Sequence, residues 1–337
     1  MKFTTAIIAL LGLVTAGYSL PVGSKPWALI PDGAGRIHMV NINPVNIPSG
    51  EDEFEPHFDA ETDVIFRLFT RRNPVNSQTI VWSDPSSLTS SNFDSSNPTR
   101  FLIHGWVEGE DARTHWVIKD HFLRVGDFNV IAVDWGAGAE TINYIAARNR
   151  VASVGAVTSR MIDMIRDTTG QSRDVINVIG FSLGAHAAGN AGKAQDGQLN
   201  TVIGLDPAGP LFSSGQADIL TANDAIYTEA VYTNANNLAF NAPLADANFY
   251  PNGGSSQPGC ITSTCSHMRV NDIYAESISS TTHFVAMRCA DFEEIQNNRC
   301  TSNGPYANMG GEPSNQGRGV SGIYHFMTNS ASPYARG

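Results

Sequence analysis

The chain has 337 residues, 42% of them hydrophobic and 16% charged, with 31 Gly and 17 Pro; this is too apolar for a disordered chain and too rich in turn residues for a coiled coil. Its 32 acidic residues against 21 basic ones give a formal charge of -11, which argues against nucleic acid as a partner, because that requires a basic face to displace counterions.

At the N-terminus, Met-Lys-Phe precedes the apolar run Ala6 to Val14 and small residues through Ser19. This pattern predicts a signal peptide over residues 1–19, cleaved after Ala16 or Ser19, and hence secretion. No other apolar stretch approaches about 20 residues, so no membrane anchor is expected. Asn97-Pro98-Thr99 resembles a glycosylation site but is blocked by its proline. Residues 20–60 carry apolar patches around Trp27 and Ile37 and the acidic run Glu51 to Glu55. They are too short to bury a core of their own and read as an N-terminal extension or propeptide.

From Asp63 the texture changes. Val64 to Phe69, Thr79 to Trp82, Arg100 to His104 and Asn129 to Asp134 read as short apolar strands between turn residues. Asp111 to Arg124 and roughly Thr141 to Asp167 read as helices, the second because Val151, Val154, Thr158, Met161 and Ile165 recur at three- and four-residue steps. Val175 to Ile179 and Thr201 to Leu205 are further strands, with a helix from Leu183 to Gly192 between them. Buried strands alternating with helices predict a largely parallel sheet covered on both faces. Residues 207–266 loosen into a Gly/Asn/Ala-rich region, followed by the strand-like His283 to Met287 and Ile323 to Met327. There is no internal repeat, and residues 61–337 read as a single α/β domain.

Cys260, Cys265, Cys289 and Cys300 all lie in the last quarter of the chain. An even count in a secreted chain predicts two disulfides, and of the three connectivities the local pairs are the simplest; the spacing does not suit zinc. The basic residues are 17 Arg and four Lys, a bias that suits an alkaline environment, since arginine holds its charge where lysine begins to lose it, and that compositional drift of the genome explains as well.

Gly180-Phe181-Ser182-Leu183-Gly184 is a G-x-S-x-G run between a buried strand and a small-residue helix, the context in which its serine is exposed on a sharp turn. Such a hydroxyl needs a base to take its proton and an acid to orient that base, in the chain order Ser, Asp or Glu, His. Among the histidines that follow, His283 and His325 sit in strand patterns, whereas His267 is expected in a loop beside Cys265. Asp196, Asp206, Asp218, Asp224, Glu229 and Asp246 are the intervening acids, and only Asp206 directly follows an apolar strand. Acyl transfer also needs two N–H groups aimed at the oxyanion. Leu183, just after the serine, supplies one. Trp106, in the His104-Gly105-Trp106 turn after an earlier strand, supplies the other and an aromatic wall.

The blocks Phe101 to Trp106, Gly180 to His186, Gly204 to Pro210, Phe249 to Gly254 and Cys265 to Arg269 resemble, in order and spacing, the pancreatic-lipase-like family. The nearest group is the secreted neutral lipases and phospholipases A1 of insects. The resemblance runs from about Trp27 to Arg336 and implies an α/β-hydrolase fold that cleaves acyl chains from phospholipid, galactolipid or acylglycerol. It implies Ser182 as nucleophile, Asp206 as acid, His267 as base, oxyanion donors at Trp106 and Leu183, and the disulfides Cys260–Cys265 and Cys289–Cys300. The alternative within the superfamily is a yolk- or storage-type lipid-binding protein with weak or no turnover. Only four residues separate Cys260 from Cys265, so the loop that forms the lid in vertebrate relatives is very short. An open site is expected, with residues 234–248 as the alternative cover. No C-terminal sandwich domain and no colipase are expected, and peripheral contact with a lipid interface by a monomer is. Asp224 matches the calcium loop of vertebrate relatives, but Ile219 and Thr221 supply no ligand, so no metal or other cofactor is predicted. Asp246 and Asn248 stand where the family usually carries His and Asp.

Overall fold

The structure, a computed structural model, describes residues 27–31, 36–41, 57–279, 281–297, 299–300 and 304–336. The predicted signal peptide lies outside the described residues. The strands are β1 (Trp27–Pro31), β2 (Ile37–Asn41), β3 (Ile65–Phe69), β4 (Gln78–Ile80), β5 (Thr99–Ile103), β6 (Asn129–Asp134), β7 (Ile176–Phe181), β8 (Thr201–Leu205), β9 (Tyr227–Val231), β10 (Ala247–Pro251), β11 (Val285–Cys289), β12 (Tyr306–Asn308) and β13 (Gly322–Phe326).

Eleven of them form one sheet in the order β12-β11-β13-β10-β9-β8-β7-β5-β6-β3-β4. The run from β13 to β6 is parallel throughout, and the outer strands β3, β4, β11 and β12 are antiparallel. Every residue of β5, β6, β7, β8, β9 and β10 is buried, as a sheet with both faces covered requires. Side chains alternate between two cores. Phe101 and Ile103 pack with Val154, Met161 and Ala187 of the Val151–Thr169 and Leu183–Ala194 helices. Leu102 faces the other way, among Ile118 and Phe122 of the Arg113–Val125 helix and Val270 and Ile273 of the Ser263–Ser277 helix.

Sequence reading and structure part in several places. The segment read as one helix from Thr141 is two, Tyr144–Asn149 and Val151–Thr169, the first capped by the Asn143 side chain on the amides of Ile145 and Ala146. The loosened region 207–266 contains β9 and β10. Glu229, at the centre of β9, is buried among donors: Gly310 N–H at 2.7 Å, Asn315 Nδ2 at 2.9 Å and Tyr227 Oη at 3.0 Å. Within the predicted extension, β1 and β2 pair antiparallel and place Ile30 and Val40 in the core of the main domain. Both local disulfides are formed, with Cα–Cα distances of 5.4 Å for Cys260–Cys265 and 5.1 Å for Cys289–Cys300. A buried arginine fastens the C-terminal part to the sheet centre: Arg100 pairs with Glu312 through two guanidinium nitrogens and also donates to the carbonyls of Thr99 and Val175.

Two buried histidines, His186 and His115, are kept neutral by burial. His186, in the helix after β7, has Nε2 at 2.8 Å from the Ala208 carbonyl, and its Nδ1 accepts from Leu220 N–H at 3.1 Å. Its ring packs on Phe212. Burial holds His186 down to about 4 and His115 to about 3. Below the usual imidazole value near 6.5, the unfolded chain takes up protons that the folded chain refuses, so stability falls as pH drops from about 7 toward 4. The His186→Gln variant, which lacks this proton uptake, is predicted to lose about 2 kcal/mol less unfolding free energy than the wild type between pH 7 and pH 5. Urea unfolding of both at each pH measures this; parallel losses would show that His186 is not held neutral.

Candidate active site

Because β5, β7 and β8 are neighbouring parallel strands, their C-terminal ends deliver three loops to one edge of the sheet, where ligands of such sheets bind. Ser182 ends β7 with φ 55° and ψ -118°, a conformation that costs a non-glycine residue about 1–3 kcal/mol. The neighbouring backbone imposes it. Ser182 N–H donates to the Leu205 carbonyl at 2.9 Å, and its own carbonyl accepts from Ala185 and Ala208. The turn closes only because its flanking residues lack side chains: a Cβ on Gly180 would lie 2.0 Å from the Gly184 carbonyl oxygen, and one on Gly184 would lie 2.3 Å from that of Ile103.

Asp206 ends β8, is fully buried and also has a positive φ, 47°. Its Oδ1 accepts from the amides of Thr233 at 2.6 Å and Asn234 at 3.0 Å, and its Oδ2 lies 2.5 Å from His267 Nδ1. That contact fixes the imidazole and leaves Nε2 as its free nitrogen. Ser182 and His267 line the same pocket. The expectation of a loop at His267 is corrected: it lies in the Ser263–Ser277 helix, whose first turn is capped by the Thr262 hydroxyl on Cys265 N–H. The short disulfide loop feeds directly into that helix. Of the other intervening acids, Asp218 pairs with Arg148, Asp224 with Lys193, Asp246 with Thr228 and Glu229 with the donors described above, and Asp196 is exposed.

Leu183 opens its helix, so its N–H has no acceptor within the helix. In the turn after β5, Gly105 N–H donates to Glu108 Oε2 at 2.8 Å and Val107 N–H to the Ala139 carbonyl at 3.0 Å. The Trp106 amide between them makes no hydrogen bond among the described residues. The turn after β5 packs closely on the serine turn, since a Cβ on Gly105 would come within 3.0 Å of Ser182 Cβ. Sequence reasoning missed Glu108. Burial pushes its carboxyl up, while His104, the Gly105 amide and His267 oppose that shift. Its position three residues after Gly105 was the only available signal, and Glu110 and Asp111 close behind it blur that signal.

The pocket wall is apolar: Trp106, Tyr144, Phe181, Leu238 and Met268, together with Ile30 from β1. The Trp106 indole is fixed by donation to the Thr141 carbonyl at 2.8 Å and by edge contacts with Tyr144 and His38. The remaining cavity is about 20 Å³, room for a water molecule but not an acyl chain. Ile30 and Leu238, the latter from the 234–248 segment, both narrow this pocket. The polar residues flagged as departures have internal tasks. Asp224 Oδ2 and the Ile219 carbonyl hold the Lys193 ammonium, at 2.7 and 2.5 Å, so a cation of the chain itself sits at the loop compared above with a calcium site. Asp246 accepts from Thr228 N–H and hydroxyl, and Asn248 Oδ1 accepts from the amides of Leu244 and Ala245.

The sequence model of the Lipase family matches residues 44–334. Pancreatic triacylglycerol lipase of Sus scrofa is 32% identical over 83% of this chain and 69% of its own. Pancreatic lipase-related protein 2 of Homo sapiens is 32% identical over 73% and 58%. Inactive pancreatic lipase-related protein 1 of Canis lupus familiaris is 33% identical over 70% and 56%. The chain thus spans between about half and two thirds of the length of these relatives. By the match along most of its length, with a largely parallel sheet carrying the serine turn at its C-terminal edge, the chain belongs to the lipase family of α/β-hydrolases that includes pancreatic triacylglycerol lipase.

Proposed function

We propose that the protein is a secreted serine hydrolase that cleaves acyl esters of lipids. The observation that carries this reading is the buried Asp206–His267 contact at 2.5 Å, on an imidazole that shares one apolar pocket with Ser182. His267 Nε2 takes the Ser182 proton as Oγ attacks the ester carbonyl, and Asp206 stabilises the imidazolium that forms. The Trp106 and Leu183 amides receive the developing oxyanion. The imidazolium then gives its proton to the departing alcohol, leaving an acyl-Ser182, which water hydrolyses by the same steps in reverse roles. The wall of Trp106, Tyr144, Leu238 and Met268 suits an acyl chain. Phospholipid, galactolipid and acylglycerol all present such a chain, and the arginine bias supports an alkaline compartment such as a gut lumen.

A second reading has an observation in its favour. The cavity is nearly filled, and the family includes a relative described as inactive, so a lipid-binding protein without turnover is the competing outcome.

Release of fatty acid from labelled phosphatidylcholine, galactolipid and triacylglycerol, measured at pH 7 and 9.5, separates the two. The wild type is expected to hydrolyse at least one class and to keep its rate at the higher pH. Ser182→Ala and His267→Ala are each expected to lower the rate by about 10³-fold or more with little further loss in the double variant, because members of such a set act as a unit. A wild type inert on all three lipids would hand the protein to the lipid-binding reading, and undiminished Ser182→Ala activity would remove Ser182 from the chemistry.

A further inference from the structure

The β1–β2 pair has two apolar faces with different surroundings. Antiparallel pairing sets Ala28 opposite Val40, Leu29 opposite Met39 and Ile30 opposite His38. Alternation therefore puts Ala28, Ile30, His38 and Val40 on one face and Trp27, Leu29, Ile37 and Met39 on the other. The first face is turned inward: Ile30 lines the pocket of Ser182 and His267, and His38 meets the Trp106 ring at 5.0 Å. The second is in solvent, with Trp27 50%, Leu29 67%, Ile37 67% and Met39 68% exposed. Four large apolar side chains grouped in water call for a partner surface.

Apolar exposure continues around the pocket. Ile142 is exposed two residues before Tyr144, a pocket residue, and Ile261 is exposed within the disulfide loop that leads into the helix of His267. An acyl chain can reach Ser182 only past this rim. We propose that the β1–β2 pair is the cover of the catalytic pocket and that its outer face docks on the surface of a phospholipid bilayer. The inference rests on the reading of the pocket as an acyl-ester site. Docking places Trp27, Leu29, Ile37 and Met39 among acyl chains, and movement of the pair withdraws Ile30 from the pocket so that a lipid chain takes its place. With a net charge of -11, attachment cannot come from attraction to an anionic surface. It relies on apolar burial, which salt does not screen.

Binding is tested in the full-length Ser182→Ala chain, so that turnover does not enter. Sedimentation with phosphatidylcholine vesicles is expected to show partitioning that is unchanged between low and high salt. Adding Leu29→Glu and Met39→Glu is expected to weaken it about tenfold or more, with melting by circular dichroism reporting that the domain remains folded. The outer face is also tested without introducing charge: vesicles of brominated phosphatidylcholine are expected to quench tryptophan emission in the parent, and a Trp27→Phe variant is expected to lose most of that quenching. Equal partitioning of parent and double Glu variant, or quenching unaffected by Trp27→Phe, would overturn the proposal. Because these readouts involve no catalysis, a failure of hydrolysis would leave them interpretable.

Discussion

The edge of the sheet that carries the candidate site depends on a carboxylate that has no access to water. Desolvating an ion of this size costs several kcal/mol, and Asp206 is held by three donors, the amides of Thr233 and Asn234 and the imidazole of His267. Each comes from a different part of the chain from β8. Thr233 and Asn234 follow β9, and His267 arrives on a helix anchored through Thr114–Asn271 and the Arg113–Asp272 ion pair to the Arg113–Val125 helix beside it on the same face of the sheet. Removing the sheet order, the β9 loop or the helix would leave the same charge uncompensated, so the fold and the site stand on one interaction.

The same edge concentrates strained backbone. Ser182 and Asp206 both occupy the left-handed half of conformational space, and Val107 beside Trp106 does so as well. All three follow the ends of parallel strands, and backbone hydrogen bonds hold each in place: Ser182 N–H to the Leu205 carbonyl, Asp206 N–H to that of Val231 and Val107 N–H to that of Ala139. The hydrogen bonds and the missing side chains at Gly180 and Gly184 maintain what local preference would relax. On the proposed reading, the oxyanion donors are thereby fixed before any substrate arrives, which is where electrostatic catalysis gains most.

Much of this was legible in the residues. The β-branched runs of β5 to β8 showed a buried parallel sheet, and the position of Ser182 and Asp206 at strand ends followed from the apolar runs that precede them and from the G-x-S-x-G turn. Three things were not legible, for physical reasons. β9 and β10 carry Glu229 and Asn248, polar side chains made acceptable by tertiary partners that no local pattern reveals. His267 sits behind a Thr/Ser/Cys stretch that reads as loop, because the capping residues that start a helix are also turn formers. The β1–β2 segment looked like a detachable extension, since Ile30 and Val40 find their burial on a surface built by residues far along the chain.

The central claim is that Ser182 is a nucleophile activated by the Asp206–His267 pair, and covalent trapping tests it most directly. An activated phosphonate ester incubated with the native protein forms a stable adduct only where a nucleophile, its base and oxyanion donors already converge. The account predicts one adduct per chain, located by peptide mass spectrometry on Ser182, and its loss in His267→Ala. An adduct on another residue, or labelling of Ser182 at the wild-type rate without His267, would contradict it.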